Sequence, residues 1–98
     1  MRRFWQGWWL ARSVEAVSKY NPLLQCLARS NALYLKFSFT EIEKILGAPL
    51  PQSARLYSAW WENNQDGRHV QAASWLDVGY QTENLDLNAG TVSFRKVG

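Results

Sequence analysis

One cysteine, Cys26, and one histidine, His69, are all that the 98 residues contain of either type. A lone thiol closes no intramolecular disulfide and builds no cysteine-based zinc site, so nothing argues for an oxidising compartment and the cytoplasm is the expected location. Cys26, in an apolar helical stretch, reads as a small buried residue. Long hydrophobic runs are missing too. The apolar run Trp8–Ala11 stops between Gly7 and Arg12, short of the roughly 7–15 residues of a secretory signal's apolar region. No stretch approaches the ~20 residues of a membrane span, so no transmembrane segment is expected.

Catalytic groups are equally scarce. His69 follows Arg68 at the end of a polar stretch, with no nucleophile marked out as its partner, while Ser53, Ser58 and Ser74 are ordinary helix-associated serines. Glu41 and Glu43 are two apart and do not share a helical face. No metal-ligand spacing, phosphate loop or nucleotide fingerprint occurs. The expectation is a protein that is not an enzyme and uses no cofactor and no metal.

What is present is an uneven charge. The net charge is +3. Residues 1–19 carry Arg2, Arg3, Arg12 and Lys19 against Glu15, whereas residues 20–98 carry seven basic and seven acidic side chains. The excess therefore belongs to the N-terminal segment. A neutral body is a poor start for strong nucleic-acid binding, which scales with the number of phosphate contacts. The opening MRRFWQGWWLAR mixes arginines with aromatics. That composition suits packing onto the domain or a second subunit first, with disorder and contact with a membrane surface or a nucleic acid as the alternatives.

Beyond this segment the patterning is that of one small domain. Tyr20–Ser30 reads as an amphipathic helix, with Asn21 as cap, Pro22 in the first turn, and Leu23, Leu24, Leu27 and Ala28 at helical spacing. From Leu33 the period falls to two, Leu33, Leu35, Phe37 and Phe39 alternating with Tyr34, Lys36 and Ser38 as in a half-buried strand. Thr40 and Glu43 fit a capping box ahead of Ile42, Ile45 and Leu46. Gly47 and Pro49 end that helix, and Pro51 opens another whose Ala54, Tyr57 and Trp61 are expected to face inward. Asp66-Gly67 favours a turn. A helix over His69–Leu76 ends at Gly79, and Leu85, Leu87, Val92 and Phe94 flank Asn88-Ala89-Gly90 as a β-hairpin.

The expected class is α+β: a small winged-helix-like domain with a helix-turn-helix core and a C-terminal β-hairpin. The core of that reading is FTEIEKILGAPLPQSARLYSAW.

The segments SKYNPL, SFTEIEKILGAPLPQSA, WWEN, QAASWLDVGY and DLNAGTVSF, in this order, resemble a family of small uncharacterised bacterial domains with the pattern SKYxPL, SFxEIExILGxxLPxSA, WWxN, QAxxWLxxGY and DLxxxxVxF. The resemblance covers about four-fifths of the chain. It implies no activity, cofactor or ligand, since that family's function is unknown. It does imply a division into an N-terminal basic and aromatic extension, residues 1–17, and a domain, residues 18–98.

Two functions fit. The first is a non-catalytic protein-interaction module, of the kind that serves as an inhibitor or adaptor of a nucleic-acid-processing complex. Trp60 and Trp61 are adjacent, so on a helix they point about 100° apart and full burial of both requires enclosure on most sides. Either one is core and the other a contact, or both wedge the last helix and hairpin against the helix-turn-helix. Aromatic residues with arginine are typical of binding hot spots, which makes Arg55, Trp60 and Asn63 the candidate contacts with a protein partner; a homodimer is also compatible. The alternative is direct DNA or RNA binding, with Gln52, Ser53 and Arg55 on a recognition helix and Arg68, Arg95 and Lys96 as further contacts.

Overall fold

The computed structural model describes residues 19–64 and 70–97. In chain order these form α1 (Asn21–Arg29), β1 (Tyr34–Ser38), α2 (Phe39–Leu46), α3 (Gln52–Leu56), a 3-10 turn (Ser58–Trp61), a second 3-10 turn (Val70–Ala72), α4 (Ala73–Leu76), β2 (Tyr80–Asp86) and β3 (Thr91–Lys96). The class is α+β. Among the described residues, four α-helices accompany a 3-stranded antiparallel sheet of order β1-β3-β2.

The sheet follows the period-two pattern of the sequence. β1 sets Leu35 against Phe94 and Phe37 against Val92, and β2 brings Thr82 beside Phe94. These side chains share the inner face, because alternate residues of a strand point the same way. Tyr34, Lys36, Glu83, Ser93 and Arg95 take the outer face. There the Tyr34 hydroxyl donates to Ser93 Oγ at 2.8 Å, and Asn84 Nδ2 donates to the Tyr34 oxygen at 2.9 Å. Once the phenol ionises both neighbours can donate to its oxygen, Ser93 foremost, and this holds its pKa below the usual tyrosine range. The hairpin turn places Gly90 at φ 70, a conformation that suits a residue without Cβ. The Gly90 carbonyl accepts the Phe39 N–H at 2.7 Å, joining the hairpin to the start of α2.

Aromatic rings run through the core in a continuous series. Phe39 stacks on Trp61 with centroids 5.0 Å apart, Trp61 lies 6.1 Å from Trp75, and Trp75 lies 5.6 Å from Phe94. Leu23 and Leu27 of α1, Ile42 of α2, Leu50 and Ala54 close around them. Each such fully buried large side chain contributes about 1.5–3 kcal/mol relative to exposure.

Four local expectations are corrected. Tyr20, rather than Asn21, is the N-cap of α1, while Pro22 does fall in its first turn. The strand stops at Ser38, and Phe39 begins α2. The capping box is Ser38–Glu41, not Thr40–Glu43: Ser38 Oγ accepts the Glu41 N–H at 3.0 Å, and Glu41 Oε1 accepts the Ser38 N–H at 2.7 Å. The start is fixed by Phe39, which must be both the first helical residue and a buried ring against Trp61. Finally, the helix expected from Pro51 through Trp61 ends at Leu56. Tyr57 takes an extended backbone (φ −129, ψ 126), so it is exposed rather than inward, and Trp61 reaches the core through the 3-10 turn.

Candidate functional site

The surface of greatest interest is built by α3 and the residues after it. α3 is anchored from below. Ala54 is fully buried, and its carbonyl accepts the Trp61 indole N–H at 2.7 Å. From the side it is anchored by Glu43 of α2, whose Oε2 accepts both the Leu50 N–H at 2.7 Å and Arg55 Nη2 at 2.8 Å. The Arg55 hydrogen bond, then the Leu50 N–H, hold the Glu43 carboxyl below the usual carboxylate range. The charge of Arg55 is thus opposed inside the molecule, and its guanidinium lies 5.7 Å from the Phe39 ring centroid.

Held in this way, α3 and its continuation turn nearly everything outward. From Gln52 to Ala59 only Ala54 is buried. Gln52, Ser53 and Arg55 are exposed, and beside them Leu56 and Tyr57 are 53% and 61% exposed. An apolar and an aromatic side chain therefore stand next to a neutralised arginine on a short, firmly tethered segment.

The other expected contacts lie elsewhere. Trp60 is half-buried, edge-on to Trp61 at 4.7 Å and to Tyr20 at 5.8 Å, and so forms part of the core wall while Trp61 is only 2% exposed. Asn63 is exposed, yet its carboxamide is occupied internally. Oδ1 accepts the Trp75 indole N–H at 3.0 Å, the Thr82 N–H at 2.9 Å and the Thr82 hydroxyl at 3.0 Å, and Nδ2 donates to the Thr82 carbonyl at 3.1 Å. Arg95 is on the outer sheet face, paired with Glu83 at 2.8 Å. Lys96 points the opposite way, 5.7 Å from the Tyr80 ring centroid. These two adjacent cations therefore do not share a face. Arg68 and His69, the Asp66-Gly67 turn and the N-terminal aromatic segment lie outside the described residues.

Sequence reasoning missed the roles of Glu43 and of the Leu56-Tyr57 pair. Pro49 and Pro51 mark where α3 starts, but no residue after them marks its end at Leu56. Among the described residues no group of three His, Cys, Asp or Glu side chains is placed to hold a metal ion. No helix there is long and apolar enough to cross a membrane.

A family model described as Domain of unknown function (DUF7662) matches residues 20–97. No curated protein and no solved structure matches the chain.

Proposed function

We propose that this chain, which belongs to the DUF7662 family of domains of unknown function, is a non-catalytic protein-interaction module of winged-helix-like architecture whose contact surface is the outward side of α3 and Tyr57. The winged-helix reading is supported by the order α1, β1, α2, α3, α4, β2, β3, in which α4 is an added short helix, and by a sheet in which the first strand joins the last. The functional reading is carried by one observation: Leu56 and Tyr57 are more than half exposed on a segment that Glu43 and Trp61 hold in place. Exposed aromatic and aliphatic side chains beside an arginine, presented without a large ordering cost, are what protein contacts favour. The partner is a protein offering an apolar recess for Leu56 and Tyr57, rimmed by hydrogen-bond acceptors for Gln52 and Ser53.

Direct nucleic-acid binding has less support, because a phosphate would have to displace Glu43 from Arg55 and Glu83 from Arg95. Titration of labelled DNA and RNA at two salt concentrations separates the two. The protein-contact reading expects no salt-dependent binding that needs α3. Salt-dependent binding abolished by Arg55→Ala would transfer the surface to nucleic acid.

A further inference from the structure

The geometry points to the free edge of β1 as a self-association surface, on which a second copy of this chain adds its own β1 antiparallel about a twofold axis at Leu35. Among the described residues β1 is at the margin of the sheet, with no strand beyond it. Its hydrogen-bond phase is fixed at both ends: the Leu33 carbonyl accepts the Lys96 N–H at 2.9 Å, and the Phe39 N–H donates to the Gly90 carbonyl at 2.7 Å. Antiparallel pairing alternates, so residues 33, 35, 37 and 39 turn their backbone groups toward β3, and Tyr34, Lys36 and Ser38 turn theirs to the open edge.

That edge is closed on either side of a short window. Before it, the Ala32 N–H donates to Ser30 Oγ at 3.0 Å and the Ala32 carbonyl accepts the Tyr80 hydroxyl at 2.7 Å. After it, the Ser38 N–H is taken by Glu41 Oε1 at 2.7 Å. Between them Tyr34 and Lys36 sit symmetrically about Leu35. The far margin of the sheet offers no equivalent at Thr82, whose N–H and carbonyl are both bonded to Asn63.

The chemistry of the window matches itself. A twofold axis at Leu35 sets Tyr34 opposite Lys36 of the second copy, so that each residue's N–H and carbonyl find the other's and no two lysines stand directly opposed. The same register brings Leu33, 73% exposed and the most exposed large apolar side chain among the described residues, opposite the half-buried Phe37 of the second copy. An interface of this kind is isologous and closes at two chains. Open edge strands are the usual templates for such pairing.

Sedimentation and amide hydrogen exchange of the full chain over a concentration series test this. The expected result is a monomer–dimer equilibrium in which the Tyr34 and Lys36 amides become protected as dimer forms. Leu33→Lys, at an exposed position, is expected to abolish the dimer while matching the melting temperature of the wild type at concentrations where the wild type is monomeric. Lys36→Pro, which removes an N–H pointing away from β3, is expected to do the same, with far-ultraviolet circular dichroism reporting that the sheet persists. A chain that stays monomeric at every concentration overturns the proposal, as does a dimer indifferent to Leu33→Lys. Protection of the Tyr34 and Lys36 amides that does not depend on concentration would mean that another part of the same chain lies on the edge, and also overturns it.

Discussion

The Asn63 carboxamide straddles the backbone of Thr82, donating from Nδ2 to its carbonyl at 3.1 Å and accepting its N–H on Oδ1 at 2.9 Å. One side chain thereby does for the outer edge of β2 what a neighbouring strand would do. The same oxygen receives the Trp75 indole, so Asn63 ties the segment after Trp61 to both the core and the sheet. Asn63→Ala removes bonds that are largely solvent-exposed and is expected to destabilise the domain by about 1–2 kcal/mol, a typical net hydrogen bond being worth about 0.5–1.5 kcal/mol. Chemical denaturation with the midpoint and slope fitted separately checks this. An effect confined to partner binding, with stability untouched, would return Asn63 to the contact surface.

The two adjacent tryptophans are expected to respond unequally. Trp61→Ala removes a stacked, buried ring and an indole bond to Ala54, and large-to-small changes of this type cost about 3–5 kcal/mol. Trp60→Ala removes a half-buried ring, and about 1–3 kcal/mol is expected by the same reasoning. Equal losses in thermal denaturation would contradict the burial described above.

At the start of α2 the prediction separates two overlapping sequence patterns. Ser38→Ala deletes the side-chain acceptor for Glu41 N–H and is expected to cost about 1 kcal/mol, whereas Thr40→Ala, at an exposed position inside the helix, is expected to stay within about 0.5 kcal/mol. A larger effect at Thr40 would restore the Thr40–Glu43 box.

Glu43 makes stability depend on acid pH. Its pKa in the folded chain is lowered from 4.5, by Arg55 first and by the Leu50 N–H next. The unfolded chain therefore binds the proton more readily, so the contribution of the Glu43 carboxylate is complete above the unfolded value and is lost as pH falls through the folded one. Glu43→Gln is expected to flatten the dependence of melting temperature on pH as pH falls below about 4.5. An unchanged slope would mean that Glu43 ionisation is not coupled to folding.

These residues also explain what the sequence disclosed and what it withheld. The sheet was legible, because the alternation of Leu35 and Phe37 and of Val92 and Phe94 is local and a buried face enforces it. Gly47 was equally legible: it takes φ 74 at the end of α2, where a residue without Cβ is favoured. The capping box was ambiguous, since Ser38-x-x-Glu41 and Thr40-x-x-Glu43 both fit and the choice depends on Phe39 meeting Trp61. Helical periodicity turns Tyr57 inward, but the helix ends at Leu56, where Trp61 bonds the Ala54 carbonyl through a 3-10 turn, and Tyr57 is left outside. The internal bonds of Asn63 are not legible, because its acceptor and donor lie on Thr82, 19 residues away, and no local pattern announces such a bond.

The central claim, that the outward side of α3 and Tyr57 contacts a protein, is tested most directly by affinity capture from nuclease-treated extract of the producing cells, with the wild-type chain and a Leu56→Ser/Tyr57→Ser chain side by side. Both changed side chains are more than half exposed, so the two chains are expected to melt alike. The account predicts a defined partner protein retained in stoichiometric amount by the wild type and lost from the double variant, with binding reconstituted from the two purified proteins. Equal retention by both chains, or a partner retained only from a parallel extract that has not been nuclease-treated, would contradict it.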